Sequence, residues 1–262
     1  MSQNSDITLY TTQTPNGIKI SITLEELGIP YKVQKIEISK NTQKEDWFLA
    51  INPNGRIPAL TDTFTDGKQI NLFESGSIMQ YLVDRYDTEH KISFPRGSRE
   101  WYEMNNWLFF QNAGVGPMQG QASKYCILRV MRGYEERMYE VEAEKGTVLT
   151  SYVVFEMNKV HELTFLSKTI SRATRPNTSN LSHYGWVAAA GWAGIDTTDF
   201  PALMAWEERM TARPGVEKGR HVPDPHTIKE TLKDKKKVEE IAASSSNWVQ
   251  AGMKEDAAKL AK

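Results

Sequence analysis

Apolar and polar residues alternate from Ile7 to Tyr10, the period of a short strand with one buried face. Pro15-Asn16-Gly17 interrupts that pattern. Apolar positions then recur at Ile20, Leu24 and Leu27, the spacing of one helical face, and Gly28-Ile29-Pro30 ends the helix. Tyr31 to Ile38 is rich in β-branched and aromatic residues and predicts a second strand. A short helix is expected over Glu45 to Ala50, and a turn at Asn52-Pro53-Asn54-Gly55. Ile57 to Leu60 predicts a strand entered through Pro58. Asp66-Gly67 predicts a hairpin turn, and Gln69 to Phe73 the strand after it. Ile78, Tyr81, Leu82 and Tyr86 then share one helical face. The order is β-α-β-α-β-β-α.

Beyond Tyr86 the strand signals fade. Asp87 to Ser98 is polar, carries Pro95 and Gly97, and predicts a linker. From Arg99 the period is helical, with Trp101, Met104 and Leu108 on one face and Trp107, Phe109 and Phe110 adding bulk. A late helix carries Leu203, Trp206 and Met210 behind Asp199 and Pro201, and proline is well tolerated at an early helical position. Lys229 to Glu240 mixes charges and predicts a solvated helix or tail. Ser244-Ser245-Ser246 breaks it, and Trp248 to Leu260 has an amphipathic pattern. The chain therefore divides into an α/β domain at 5–88, an all-α domain at 99–226 and a charged extension at 227–262.

Composition narrows the function classes. The 262 residues can bury a sizeable core without disulfides or metals. Lys plus Arg total 32 against 33 Asp plus Glu, which gives no support for nucleic-acid binding. A lone cysteine, Cys126, excludes an internal disulfide and a cysteine-based zinc site, and fits a reducing compartment. The five histidines, at 90, 161, 183, 221 and 226, show no metal-ligand spacing. No apolar run is long enough for a membrane span, and Met1 to Tyr10 lacks the apolar segment of a secretory signal. A cytoplasmic protein without metal, membrane or nucleic-acid partner is expected.

Three motifs carry candidate chemistry. Thr14-Pro15-Asn16-Gly17 lies between the first strand and first helix. Ligands gather at such junctions, where free N–H groups and the helix dipole favour an anion such as a thiolate. Thr14 and Asn16 can each donate a hydrogen bond to sulfur. Read alone, the motif is an ordinary helix start with Asn as cap. Second, Arg56-Ile57-Pro58 enters a strand through a proline that cannot join the ladder. A cis Ile57–Pro58 bond would turn the Ile57 backbone toward an extended peptide, although read alone an edge-strand proline is the favoured account. Third, Glu74-Ser75 precedes a helix, where Ser75 is a natural cap, the helix N-terminus suits a carboxylate and Glu74 suits an ammonium. In this order the motifs supply a thiol site, a backbone ladder and an amino-acid clamp. Those are the requirements of cysteinyl, glycyl and γ-glutamyl groups, the parts of glutathione.

The chain resembles the cytosolic glutathione transferases, in the fungal and bacterial group that includes the yeast nitrogen regulator and bacterial disulfide reductases. The resemblance is carried by T-P-N-G-x-K, E-E-L-G-I-P-Y, N-P-N-G-R-I-P-A-L, F-E-S-G-S-I and the run from Asn106 to Gln121. It holds from Ile7 to about Tyr125 and returns over Gly185 to Pro225. It implies a thioredoxin-like βαβαββα domain followed by an all-helical domain, in a homodimer. It implies that Asn16, helped by Thr14, faces the glutathione sulfur; that Arg56, Ile57 and Pro58 hold the glycyl and cysteinyl parts; and that Glu74 and Ser75 hold the γ-glutamyl group. Phe109, Met118 and Gln119 would meet the electrophile. Tyr10 is expected to pack rather than react, and Cys126 to be a buried helical thiol.

Two stretches depart from the family pattern. Glu140 to Met157 looks like extra sequence in a helix, with Gly146 and Thr147-Val148 unfavourable there. Ser171 to Tyr184 lacks the family's Ser/Thr-x-x-Asp capping box, with Gly185 at the acidic position, and reads as loop. The resemblance implies an enzyme conjugating glutathione, its co-substrate, to a small hydrophobic electrophile in detoxification or secondary-metabolite synthesis. The alternatives are glutathione-dependent disulfide or peroxide reduction, and a non-catalytic glutathione-binding regulator.

Overall fold

The computed structural model describes residues 5–121, 176–241 and 243. Cys126, His161, Glu140 to Met157, residues 171–175 and the terminal stretch from Trp248 lie outside them.

The first part is a four-stranded sheet in the order β2-β1-β3-β4. Strand β1 (Thr8–Thr11) pairs in parallel with β2 (Lys32–Lys35) and antiparallel with β3 (Ala59–Thr63), and β4 (Gln69–Phe73) runs antiparallel to β3. Helix α1 (Gly17–Leu27) makes the crossover from β1 to β2, α2 (Asp46–Leu49) precedes β3, and α3 (Ser75–Tyr86) follows β4. This is the expected βαβαββα order of a thioredoxin-like domain, followed by helices. β2 is shorter than its sequence pattern. All four of its residues are exposed on the sheet edge, and the chain turns away at Ile36, which is buried in a small second core with Phe48 and Ala59. β3 starts at Ala59 rather than Ile57, directly after a cis Ile57–Pro58 bond.

Helix α1 has no solvated face over its first two turns. Every residue from Gly17 to Leu24 is buried. Its apolar positions Ile20 and Leu24 belong to the main core. Its polar positions meet other elements instead of water. Ser21 Oγ donates to the Gly219 carbonyl at 2.7 Å, and Gly219 ends α7 (Pro214–Gly219). Arg213, the residue before α7, grips Glu26 of α1 with two nitrogens, at 3.1 and 2.5 Å. A side chain at Gly219 would bring its Cβ to 2.5 Å from the Ile22 Cα. The glycine is what lets the two helix backbones touch.

The junction between the two parts is held by Asp87. Its carboxylate accepts from the Lys91 and Ile92 N–H groups and from Ser93 Oγ, at 2.6, 3.0 and 2.7 Å. The Ile92 carbonyl then accepts from both the N–H and the hydroxyl of Thr178. Thr178 opens α5 (Thr178–Ala188), inside the segment expected to be loop. A capping box is present there after all, built of asparagines. The Asn177 side chain accepts from the Asn180 N–H at 3.3 Å, and Asn180 Oδ1 accepts from the Asn177 N–H at 3.0 Å. Before it, α4 (Arg99–Phe110) is capped by Ser98, runs into a π-helical turn (Gln111–Val115) and continues helically to residue 121. After α5 come α6 (Pro201–Thr211), α7 and α8 (Ile228–Leu232). Among the described residues no helix is long and apolar enough to cross a membrane.

Candidate active site at the domain junction

The loop from β1 into α1 places Thr14 and Asn16 at the helix N-terminus. Asn16 occupies the cap position but makes no capping hydrogen bond. Thr14 does that work: its Oγ1 accepts from the Gly17 N–H at 3.0 Å. The Asn16 side chain turns to the helical part, where its Oδ1 accepts from the Trp186 indole at 3.0 Å. Its amide nitrogen has no partner among the described residues, which leaves two N–H donors beside the helix N-terminus. Free donors next to a positive helix end suit a thiolate. Tyr10 is placed otherwise. Its ring packs against Trp47 and Phe48, with centroids 6.2 and 6.3 Å away.

Asn52 shapes the second motif. Its side chain donates to the Arg56 carbonyl at 2.7 Å and accepts from the Asn54 N–H at 3.0 Å, which clamps the turn that delivers Ile57 and Pro58 to the sheet. The Arg56 side chain is exposed, Ile57 is half-buried and Pro58 buried.

The third motif is built differently from its sequence reading. Glu74 is exposed with φ at +66°, a conformation uncommon for a side-chain-bearing residue, and its carbonyl accepts from the Ile78 N–H. Ser75 is buried, and its hydroxyl is committed inward. It accepts from Lys19 Nζ and donates to Asn112 Oδ1, each at 3.1 Å. Its backbone N–H lies in the first turn of α3, where a helix has no acceptor of its own to offer. Lys19 is fully buried in α1 and also donates to Gln111 Oε1. Burial pulls its ammonium down to about pKa 7, with the nearby Glu74 carboxylate opposing the shift. On the far side His183 is fully buried, with Nδ1 2.7 Å from the Ser179 carbonyl. Burial, the Lys19 charge adding to it, drives His183 down to about pKa 3. It is neutral in ordinary buffers.

A cavity of about 390 Å³ opens beside Thr14 and Pro15, with Gln119, Trp186, Trp192 and His226 among its walls. It is mostly apolar. Burial and the Arg220 charge lower His226 to about pKa 4, so this wall is uncharged near pH 7. Of the three residues expected to meet an electrophile, only Gln119 lines the cavity. Phe109 is 63% exposed on α4, and Met118 is not in the wall. Helical period alone could not tell which side of the helix after the π-helical turn faces Thr14. Lys19, Trp186, Trp192 and His226 went unassigned in the sequence reading. Lys19 had one available signal, its place in T-P-N-G-x-K on an otherwise apolar helix.

Comparison with known proteins places these features. The family model of the glutathione S-transferase N-terminal domain matches residues 15–85. The glutathione S-transferase-like protein gedE of Aspergillus terreus is 36% identical over 232 residues, covering 83% of this chain and 96% of that protein. The disulfide-bond oxidoreductase YfcG of Escherichia coli is 31% identical over 213 residues, covering 80% and 92%. A crystal structure of a glutathione transferase homolog from Lodderomyces elongisporus, with two GSH per subunit, matches with a TM-score of 0.70 at 36% identity, over 83% of this chain and 99% of that one.

Proposed function

This chain belongs to the glutathione S-transferase family, and on that premise we propose that it binds glutathione with the sulfur at Asn16 and joins it to a small apolar electrophile in the cavity walled by Trp186. The observation that carries the reading is the Asn16 amide, whose oxygen is taken by Trp186 and whose N–H groups are left open, among the described residues, at the N-terminus of α1. A cysteine-type thiol ionises near pH 8.5, and a shift down by one to two units would make much of it thiolate at pH 7. Amide and hydroxyl donors with a helix dipole suffice for a shift of that size. The thiolate then attacks the electrophilic carbon, and the leaving group departs with the bonding electrons.

The remaining contacts follow the peptide. The Ile57 backbone and Arg56, after the Pro58 turn, take the cysteinyl and glycyl parts. The Ser75 N–H takes the γ-glutamyl carboxylate, and Glu74 takes its ammonium. The cavity beside Thr14 suits an uncharged, apolar second substrate. The exposed Tyr102 and Phe109 on α4 favour a homodimer formed through that face, since buried aromatics anchor such contacts. The lone cysteine is in keeping with work in the reducing cytoplasm.

Disulfide reduction is the second reading, favoured by the likeness to YfcG. The same thiolate would attack a mixed glutathione disulfide, form glutathione disulfide and release the partner thiol. Steady-state rates with glutathione against a halo-aromatic, hydroxyethyl disulfide and a peroxide separate the two. Turnover of the halo-aromatic above the others supports conjugation. Turnover of the disulfide alone favours reduction. Glutathione binding without turnover of any would leave a binding protein.

A further inference from the structure

Resting on the reading that Asn16 faces the glutathione sulfur, we propose that Trp186 is the positioning residue that holds the Asn16 amide with its NH2 group toward the thiolate. An asparagine amide has two opposite ends. The nitrogen end stabilises a thiolate, whereas the oxygen end repels it, and a half-turn exchanges them at little steric cost. Such orientations are normally assigned from the hydrogen-bond network. Here the network admits one answer, because an indole N–H can only donate. The atom 3.0 Å from Trp186 Nε1 must be the amide oxygen. Helix α1 does not hold the amide, since the capping bond is made by Thr14. Among the described residues the indole is its sole hydrogen-bond partner.

The indole is itself held in place. Trp186 is 8% exposed, and its carbonyl accepts from Gln119 Nε2 at 2.7 Å. Its ring lies on Gly116 and Gly120, one helical turn apart. A Cβ built at those glycines would stand 3.4 and 3.6 Å from the ring carbons. Gly116, Gln119 and Gly120 thus form a seat that sets the indole N–H toward the first loop of the other domain. The G-x-x-Q-G spacing after the π-helical turn acquires a purpose: with hydrogen at both glycines the ring lies close along the helix, where an added Cβ would already stand in van der Waals contact with it. The same ring walls the cavity of about 390 Å³, so one side chain borders both substrates.

The test replaces Trp186 in the full-length protein in two ways. One is Trp186→Phe. The other inserts benzothienylalanine, which keeps the shape of the indole and puts sulfur in place of N–H, so it answers where Phe fails to fold. Asn16→Ala is measured beside them. Ultraviolet titration gives the pKa of the bound glutathione thiol, and steady-state kinetics with a halo-aromatic give kcat and KM. Loss of one neutral hydrogen bond predicts a rise in thiol pKa and a three- to tenfold lower kcat near neutral pH, roughly. KM for glutathione stays within about twofold, because the sulfur is a small part of the contact. The rate recovers at alkaline pH, which a packing defect would not allow. Combined with Asn16→Ala, neither replacement adds a further shift. If Asn16→Ala raises the pKa and the Trp186 replacements do not, the positioning role is overturned while the site reading stands. If Asn16→Ala leaves the pKa unmoved, both fall.

Discussion

The buried ammonium of Lys19 donates to the hydroxyl of Ser75 at 3.1 Å, and so ties the first helix to the start of the third beneath the proposed γ-glutamyl clamp. Three acceptors surround that charge: Ser75 Oγ, Gln111 Oε1 and Asn112 Oδ1. Two of them belong to the π-helical turn that follows α4. The thiol loop, the clamp and the helical part therefore share one polar node, and the node holds a charge that burial disfavours.

That charge makes stability depend on pH. The Lys19 ammonium loses its proton near pH 7 in the folded protein and near 10.5 in the unfolded chain. Between those values the unfolded chain holds more protons, so stability rises with pH. Below pH 7 both states are protonated and the full cost of burying the charge remains. The slope attributable to this group is at most about 1.4 kcal/mol per pH unit. Urea midpoints are expected to increase from pH 7 to pH 9 in the parent. Lys19→Met should flatten that increase; an unchanged slope would mean that Lys19 is not the titrating group.

The clamp residues should separate in calorimetry. Glu74 is exposed and its carboxylate makes no hydrogen bond or ion pair among the described residues, so on the proposed clamp Glu74→Ala should weaken glutathione binding about ten- to hundredfold, the value of a charged hydrogen bond, and leave the melting temperature nearly unmoved. Ser75→Ala should weaken binding and also lower the melting temperature, because it strips a partner from Lys19 and from Asn112. A Ser75→Ala protein as stable as the parent would contradict the inward role of the hydroxyl.

Contact between α1 and α7 depends on a missing side chain. Gly219→Ala places a Cβ 2.5 Å from the Ile22 Cα, and backbone cannot yield as a flexible side chain does. The helices must separate, at a cost of about 1–3 kcal/mol. Thermal melts should show the loss. Gly191→Ala is the control, since its Cβ would meet only the end of the Leu232 side chain, at 2.9 Å.

The βαβαββα order is legible in the sequence because each of its turns carries its own local chemistry, from Gly28-Ile29-Pro30 to Asp66-Gly67. The three candidate motifs stand out for the same reason: each lies in one short loop. Relations between distant segments are not. Lys19, Ser21 and Thr23 alternate with apolar residues along α1, yet all three are buried, Ser21 against Gly219 and Lys19 against the π-helical turn. Nothing local marks that. The start of α5 was hidden by chemistry. Asparagine at both ends of the capping box, Asn177 and Asn180, replaces the Ser/Thr and acidic residues that normally signal it. Trp186 went unassigned because the partner of its indole N–H, Asn16, lies 170 residues away in the chain.

The central claim is that the Asn16 amide lowers the pKa of a bound glutathione thiol. Ultraviolet titration of glutathione bound to the parent and to Asn16→Ala tests it most directly. The parent should hold the thiol about one to two units below its free value near 8.5. Asn16→Ala should raise it and cost about tenfold in turnover, because the helix dipole and Thr14 remain. Its fold should survive, since Thr14 rather than Asn16 caps α1. A folded Asn16→Ala protein with the parent's thiol pKa and the parent's turnover would contradict the account.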